Sequence, residues 1–346
     1  MSKTLQDYAT LINDTIQSNE INHYITTDNM CQNLGGIDTF KNINIPQGKV
    51  RSFQKDDVLL SNIRLYFRKV YRAKQKGGCS SDVLVFRAKH IDSTTLFAIL
   101  SSQIFTDYAC SGSQGSKMPR GNKTHMMDFK IPTINFTIAK IFNSIQNKIE
   151  NNHKINELLH TLAYKIYEYY FKYKPKNAKL EQIIIENPKS SIMVKNAQKT
   201  QDKYPFFTSG DNILSYPKAI IDGRNCFLNT GGNVGIKFYV GKASYSTDTW
   251  CICANEFSDY LYLLLSSIKT HINQSFFQGT SLKHLQKNLL KKYPIYMPSA
   301  HEIKKFNQII MPLLTLISIN IRTSKKLEQI RDFLLPLLLT QQVKPQ

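Results

Sequence analysis

The chain has 346 residues and carries 45 lysines and arginines against 25 aspartates and glutamates, a formal net charge of +20 at pH 7. This length is enough for about two or three domains of ordinary size. Hydrophobic residues make up 42% of the chain and aromatic residues 11%, so a packed core can form and a wholly disordered chain is excluded. So one-sided a charge favours a polyanionic partner, either nucleic acid or an anionic membrane surface. The lysine-rich composition of an AT-rich genome would explain part of it.

Several classes of protein are excluded by what the sequence lacks. The longest apolar run, residues 309–319, contains Pro312 and is too short to cross a bilayer about 30 Å thick. The polar residues 1–15 lack the apolar centre of a signal peptide. The six cysteines show neither a C-x-x-C pair nor the spacing of a disulfide framework. The eight histidines show no zinc-ligand spacing. We therefore expect a reduced, cytoplasmic protein without a metal site.

The second half of the sequence repeats the first at a nearly constant offset, close to half the chain. Four landmarks recur in one order: an apolar strand-like run, a helix ending in Leu-Ser-Ser, a Gln-Gly loop and an apolar-Pro strand end. The paired landmarks are Asp82 and Asp248, Ser101 and Ser266, Gln114 and Gln278, and Pro132 and Pro298, at offsets of 166, 165, 164 and 166. So constant an offset predicts a tandem duplication of one domain.

Each copy of the repeat is predicted to contain short strands, glycine turns and one amphipathic helix. The predicted strands are 57–61, 83–86 and 250–253, the helices 94–110 and 259–276, and the glycine turns 35–36, 77–78 and 231–232. We place the first domain at 1–132 and the second at 176–298. Long helices are predicted over 133–175 and 299–346.

Apolar residues in both long helices alternate three- and four-residue steps, the heptad pattern of a coiled-coil seam. The seam residues are Ile138, Phe142, Ile145, Ile149, Leu159, Ala163, Ile166 and Tyr170 in the first helix, and Ile303, Phe306, Ile310, Leu313, Ile317, Leu327, Leu334 and Leu338 in the second. Asn152 and Asn156 interrupt the first seam, and Asn320 and Ser324 the second. Buried polar residues there would fix the register of the pair; alternatively, the helices bend and expose the amides. Pro312 is expected to kink the second helix.

The fold class predicted from these patterns is α+β. Two tandem mixed α/β domains would be separated by two long antiparallel coiled-coil helices, with a pseudo-twofold axis between the domains. At 1.5 Å per residue, each helix would be about 60 Å long. The helices would then set the distance between two domains of similar structure.

No catalytic motif is complete in this sequence. The segment 235–243 has five residues between its glycines where a phosphate-binding loop has four, and it ends in Ala243 instead of a hydroxyl residue. There is no G-x-G-x-x-G for a dinucleotide or methyl donor, and no Asn/Asp-Pro-Pro-aromatic run of an adenine methyltransferase. Acidic residues are too scattered for a nuclease metal cluster. We expect a non-catalytic chain.

Basic residues are concentrated in segments that also contain glycines, amides and hydroxyls, a combination suited to phosphate contact and base reading. The candidate DNA-binding residues of the first domain are Arg64, Arg68, Lys69, Arg72, Lys74, Lys76, Gln114, Ser116, Lys117, Arg120 and Lys123. Those of the second domain are Asn229, Thr230, Asn233, Lys237, Gln278, Thr280, Ser281, Lys283, His284 and Lys287. A single charged cluster is usually a solvated face, but recurrence in both copies favours DNA contact.

The ordered set of features resembles the target-recognition domains of type I restriction–modification specificity subunits. The strands ending at 59–62 and 227–230, the Leu-Ser-Ser helix, the Gln-Gly loop and the Ile-Pro or Met-Pro strand end carry the resemblance. It covers essentially the whole chain, and the terminal run 331–339 is typical of the family's second spacer helix. The first domain departs from the family with Ile-Arg-Leu-Tyr-Phe-Arg at 63–68, where the second keeps a glycine-rich turn at 231–235.

The resemblance implies a sequence-specific DNA-binding subunit with no activity of its own. Each domain would read one half of a bipartite target, and the chain would scaffold two methyltransferase subunits and two ATP-dependent translocase/nuclease subunits. S-adenosylmethionine, ATP and Mg would be bound by those partners and none by this chain.

Two other classes of function stay open from the sequence. An autonomous DNA-binding regulator, or a single-chain nuclease fragment, would contain the duplication as an internal pseudo-dimer, although a regulator usually carries a helix-turn-helix unit. A purely structural coiled-coil connector would leave the two basic, glycine-looped domains unexplained.

Overall fold

The computed structural model describes residues 3–38, 43–131, 133–197, 203–210, 213–279 and 282–339. The chain divides into two compact units, which are Met1–Asn151 with Lys326–Gln346, and Asn152–Lys325. Each unit combines a mixed α/β domain with one segment of each long helix.

The first unit alternates short strands with short helices before the first long helix begins. Its elements are α1 (Leu5–Tyr8), β1 (Ala9–Ile12), β2 (Thr15–Gln17), β3 (Tyr24–Ile25), β4 (Lys49–Phe53), β5 (Val58–Ser61), β6 (Val70–Arg72), β7 (Gly77–Cys79), β8 (Val83–Ala88), α2 (Ser93–Ser101), α3 (Gln103–Ser111) and α4 (Lys123–Met127). The long helix α5 (Phe136–Tyr167) follows and ends in a π-helical turn, Glu168–Lys172.

The second unit likewise places eight strands before a pair of short helices, and it adds three short strands before its long helix. Its elements are β9 (Ala178–Lys179), β10 (Ile185–Glu186), β11 (Tyr204–Phe207), β12 (Leu214–Tyr216), β13 (Arg224–Asn229), β14 (Ile236–Val240), β15 (Ser244–Tyr245), β16 (Thr249–Cys253), α6 (Ser258–Ser267), α7 (Lys269–Ser275), β17 (Phe277–Gln278), β18 (His284–Leu285), α8 (Lys287–Lys291), β19 (Pro294–Ile295) and the long helix α9 (Ala300–Leu338). None of the helices in the described ranges combines the length and apolar character needed to cross a membrane.

Each unit is built on a four-stranded antiparallel sheet with the same strand order. The order is β1-β8-β5-β6 in the first unit and β10-β16-β13-β14 in the second. Leu60 lies opposite Leu84 in one sheet, and Leu228 lies opposite Trp250 in the other. The shared order of elements, spaced as the sequence landmarks are, confirms the tandem duplication.

The central strands β5 and β13 are each buried on both faces, which explains the continuous apolar run Val-Leu-Leu of β5. Val58 and Leu60 pack into one core and Leu59 into another, because alternate side chains of a strand point to opposite faces. In the second unit Leu228 and Phe227 are divided between two cores in the same way.

Two predictions of local structure are wrong. The helices predicted over 94–110 and 259–276 are each two shorter helices; in the first, Ser102 has extended backbone and its hydroxyl oxygen caps α3 by accepting from the Phe105 N–H at 3.2 Å. The predicted turn at Gly77 and Gly78 is strand β7. A Cβ on Gly77 would lie 2.6 Å from the His23 carbonyl oxygen, so glycine is needed there for close strand packing.

The polar residues of the helical seam are buried and paired with each other. In the second unit the Asn152 amide donates to the Ser324 hydroxyl at 3.1 Å, and the Asn320 amide donates to Asn156 Oδ1 at 2.9 Å. A step of four residues along α5 thus matches a step of four back along α9, so these segments run antiparallel. The pairing confirms that these residues fix the register and excludes exposure of Asn152 and Asn156, whose side chains are buried.

In the first unit a second polar pair joins the other segments of the same helices. The Arg331 guanidinium, which is 2% exposed, donates to Gln146 Oε1 at 3.0 Å, and the Gln146 amide donates to the Leu34 carbonyl at 2.6 Å. Pro312 does not end α9, which runs without interruption from Ala300 to Leu338.

Candidate nucleic-acid interface

In the first unit, the turn after the central strand lies against a glycine-containing loop, which we call loop A (residues 112–122). Ile63 forms an isolated β-bridge with Arg120, and the Arg64 N–H donates to the Pro119 carbonyl at 2.9 Å. The Gly121 N–H donates to the carbonyl of Asn62 at 3.1 Å. These backbone bonds place loop A at the end of β5.

Loop A is closed at its neck and exposed beyond it. Gln114 and Arg120 exchange two backbone hydrogen bonds of 2.9 and 2.8 Å. Gly115 has φ +100°, a left-handed conformation that favours glycine, so the chain can reverse between the two paired residues. The side chains of Ser116 and Lys117 are exposed to solvent.

Two arginines and a lysine bring positive charge to this end of the sheet. Arg120 is 61% exposed and lies 3.0 Å from the Asp82 carboxylate. Such an exposed ion pair contributes little free energy, so Arg120 can exchange it for a phosphate or a base. The half-buried Arg64 donates to the Lys117 carbonyl at 3.3 Å, and Lys123 is exposed at the start of α4.

Arg68 and Arg72, both predicted as DNA-binding residues, are instead engaged inside the first unit. The Arg68 guanidinium is 14% exposed, donates to the Ser101 carbonyl at 2.9 Å and lies 3.9 Å from Asp332. Burial lowers the pKa of Arg68. Arg72 is 15% exposed and donates to the Thr94 hydroxyl at 3.1 Å. Their contacts link strand, helix and loop, so we assign both residues a structural role.

The three lysines of this segment differ in their contacts with the rest of the first unit. The Lys69 ammonium donates to the Thr27 carbonyl, and Lys74 lies 3.3 Å from the Glu150 carboxylate on α5. Lys76 is exposed in the turn between β6 and β7. Lys69 and Lys74 are thus held by contacts within the first unit, whereas Lys76 is exposed.

The second unit has the same arrangement around loop B, residues 276–286, of which Thr280 and Ser281 lie outside the described residues. The turn after β13 contacts this loop: Gly231 bridges His284, and the Gly232 N–H donates to the Lys283 carbonyl at 2.9 Å. The Leu285 N–H donates to the Thr230 carbonyl at 3.0 Å. Loop B thus lies at the end of the central strand, as loop A does.

The exposed polar side chains of loop B match those of loop A in kind. Gln278 and His284 are paired across β17 and β18, and both are exposed. Lys283 and Asn233 are also exposed. Gln278 and His284 stand at the positions of Gln114 and Arg120 in the repeat.

Asn229 and Thr230, both predicted as DNA-binding residues, hold the turn after β13 through their side chains. Asn229 is 6% exposed, and its amide donates to the carbonyls of Ser209 at 2.8 Å and Asn233 at 3.1 Å. The Thr230 hydroxyl donates to the Asp248 carbonyl at 2.7 Å. These bonds hold the shape of the turn that loop B contacts.

Lys237 and Lys287 are likewise held by the protein. The Lys237 ammonium donates to the Thr208 carbonyl at 2.7 Å. The Lys287 ammonium lies 5.1 Å from the centre of the Trp250 ring, a cation–π contact, and burial lowers its pKa. Both lysines therefore make contacts within the second unit.

Each unit therefore presents amides and cations together at one end of its sheet. Lysine and arginine side chains there can neutralise phosphates, and glutamine or arginine can hydrogen-bond base edges. Three exposed apolar side chains at or beside these loops, Tyr66, Met118 and Leu282, were not among the predicted site residues. Aligning the two copies of the repeat would have identified Met118 and Leu282, because they are separated along the chain by the same number of residues as Gln114 and Gln278.

Comparisons with known proteins agree with this arrangement. Residues 176–330 match the family model described as type I restriction modification DNA specificity domain. The fold is similar to that of the S subunit of a type I restriction-modification system from M. genitalium, with a TM-score of 0.64, 13% sequence identity, and coverage of 99% of this chain and 96% of that chain. The resemblance seen in the sequence is thereby confirmed, by family over 176–330 and by fold over the chain.

Two further solved structures align over most of the chain at low similarity. They are an HsdS subunit from Thermoanaerobacter tengcongensis (TM-score 0.37, 14% identity, 98% of this chain and 96% of that chain) and a structure concerning complex assembly of the type I R-M system (TM-score 0.37, 12% identity, 98% and 97%). No curated protein is significantly similar in sequence.

Proposed function

We propose, from the premise that residues 176–330 belong to the type I restriction modification DNA specificity domain family, that this chain is the DNA-reading subunit of a type I restriction–modification complex. One observation carries the proposal. The family match, residues 176–330, does not reach residues 1–151, yet the first unit has an equivalent loop at the equivalent end of a sheet with the same strand order. Both halves of the chain are therefore suited to DNA recognition.

In this proposal the DNA target is bipartite, and each unit reads one half of it. Loop A would contribute Gln114, Lys117 and Arg120 to one half-site, and loop B would contribute Gln278 and Lys283 to the other. Phosphate contacts from the lysines would hold each loop in place, while the amide and guanidinium groups would reach base edges.

An exposed apolar stripe on α5 supports docking of a partner subunit. Ile155, Leu158 and Leu162 follow steps of three and four residues and are 41%, 62% and 49% exposed. They share one side of the helix, away from the buried seam residue Ala163. We propose that a methyltransferase subunit covers this stripe, because exposed apolar side chains in a row are typical of interaction surfaces.

The chemistry would then belong to the partners. The chain would scaffold two methyltransferase subunits and two ATP-dependent translocase/nuclease subunits, and would have no catalytic activity alone. S-adenosylmethionine, ATP and Mg are assigned to those subunits, since the sequence carries no complete motif for binding them.

Co-purification tests the proposal. The tagged full-length chain should recover methyltransferase subunits in stoichiometric amount from its host, and the complex should methylate one bipartite DNA sequence. The matched variant Leu158→Glu with Leu162→Glu places charge in the apolar stripe and should lose those subunits. Recovery of a lone chain that binds a specific DNA sequence would instead support an autonomous regulator with an internal pseudo-dimer.

Single substitutions in the loops should affect separate halves of the target. Arg120→Ala and Lys117→Ala should alter methylation through one half-site, and Gln278→Ala and Lys283→Ala through the other. Losing a base contact costs about 1–3 kcal/mol and relaxes one base position, whereas losing a phosphate contact weakens all sequences alike. Methylation-aware sequencing of cells carrying each variant measures both effects.

Two exposed lysines provide controls for these substitutions. Lys55 precedes β5, at the opposite end of that strand from loop A, and Lys242 follows β14, whose last residues pair with the start of β13. Lys55→Ala and Lys242→Ala remove the same charge and should leave methylation unchanged. If the four loop variants behaved like these controls, the loops would not be the recognition elements.

A further inference from the structure

Each loop carries one large apolar side chain that is exposed beyond the loop's neck. Met118 in loop A is 53% exposed, and Leu282 in loop B is 56% exposed. Their offset along the chain equals that of Gln114 and Gln278, so they occupy equivalent positions of the duplication. A single exposed apolar side chain is common on protein surfaces. An exposed apolar side chain at the equivalent position of both copies indicates a shared role.

The backbone holds these side chains outward. The Gln114–Arg120 pair closes loop A below Met118, and the Gln278–His284 pair closes loop B below Leu282. In loop B, a Cβ on Gly279 would lie 2.3 Å from the Leu282 carbonyl oxygen, so only glycine permits this close folding of the loop. Met118 and Leu282 are both more than half exposed and belong to no hydrophobic core, so packing within the protein does not explain why they are apolar.

The neighbouring polar groups indicate what these side chains meet. Each neck pairs a glutamine with a cationic or imidazole residue, Arg120 in loop A and His284 in loop B. Glutamine and arginine side chains hydrogen-bond base edges in the major groove, which is about 12 Å wide and admits a two-stranded β-ribbon such as these paired necks. The apolar group available there is the C5-methyl of thymine.

Resting on the proposed function, we infer that Met118 and Leu282 are specificity residues that each contact a thymine methyl group in the major groove of the half-site read by its loop. The contact removes apolar surface of both partners from water. It selects an A·T pair at one position of each half-site, beside the positions read by the neck residues.

The experiment uses the complete complex and the DNA duplex identified by methylation mapping. Each thymine of the half-sites is replaced in turn by deoxyuridine, which lacks only the methyl group. One replacement in each half-site should weaken binding about fourfold, the factor expected for one buried methyl group. Met118→Ala should abolish the sensitivity in one half-site and Leu282→Ala in the other, while Met118→Leu should retain it.

Matched controls separate this effect from a general loss of apolar surface. Ile104 on α3 and Ile220 in the second unit are 43% and 44% exposed and lie outside the loops. Ile104→Ala and Ile220→Ala should leave the deoxyuridine effect intact.

Three results would overturn the inference while leaving the proposed function standing. The first is a half-site without any A·T pair, and the second is specific binding that no deoxyuridine replacement alters. The third is an equal loss of affinity for thymine and deoxyuridine DNA in Met118→Ala, accompanied by loss of DNA bending, which would identify a wedge between bases instead. Absence of any sequence-specific binding by the complex would contradict the proposed function itself.

Discussion

Inserting one heptad into each long helix is expected to stop methylation of the original target and to shift activity, where any remains, to targets whose unread gap is about three base pairs longer. Seven residues add about 10 Å of helix, close to three base pairs of 3.4 Å. The insertion should go between Asn152 and Asn156 in α5 and between Asn320 and Ser324 in α9. Both polar pairs then keep their partners.

The half-site sequences should not change, because loops A and B are untouched. Three base pairs also turn the duplex by roughly a third of its 10–10.5 base-pair repeat, so we expect weaker methylation at the new spacing. Methylation-aware sequencing of cells with the double insertion gives gap and half-sites together.

Insertion into α5 alone is the matched control. Because α9 keeps its length, at most one of the Asn152–Ser324 and Asn156–Asn320 pairs can stay in register, and the other is displaced by about two turns. A buried amide then loses its partner, so we expect loss of the folded protein instead of a new target. An unchanged gap combined with altered half-sites in the double insertion would show that the helices do not set the spacing.

Raising the salt concentration from 50 to 200 mM is expected to weaken DNA binding by the purified chain about a thousandfold. Neutralising about six phosphates gives this loss, because each contact releases condensed counterions from the DNA. The net charge of +20 and the exposed cations of loops A and B motivate the prediction. Fluorescence anisotropy with a labelled duplex measures the dissociation constant across the salt series.

The slope of affinity against salt identifies which lysines contact phosphate. Lys117→Ala and Lys283→Ala should each lower the slope by about one, whereas Lys55→Ala and Lys242→Ala should leave it unchanged. A dissociation constant that stayed constant from 50 to 200 mM would rule out phosphate contact as the main source of affinity.

Features that depend on local spacing along the chain could be predicted from the sequence. The duplication was visible as a constant offset, and the strand at 58–61 as an apolar run buried on both faces. That Asn152, Asn156, Asn320 and Ser324 would fix the register of the long helices was predicted from their places in the apolar seams, but which residue pairs with which came from the structure. The positions of loops A and B followed from the same repeat.

The sequence by itself therefore determined the two copies, the buried central strand of the first copy, the apolar seams of the long helices and the places of the two loops. Each of these follows from the periodicity of apolar residues or from the repeat. Only the tertiary structure decided which cations face solvent. Arg68 and Arg120 look alike in sequence, but the Ser101 carbonyl and Asp332 hold Arg68 inside, whereas Arg120 remains 61% exposed. Ser101 ends helix α2 and Asp332 lies near the end of α9, both far from Arg68 along the chain, so no local pattern contains them. Burial and hydrogen bonding between distant segments, not residue type, determine which charges remain available to DNA.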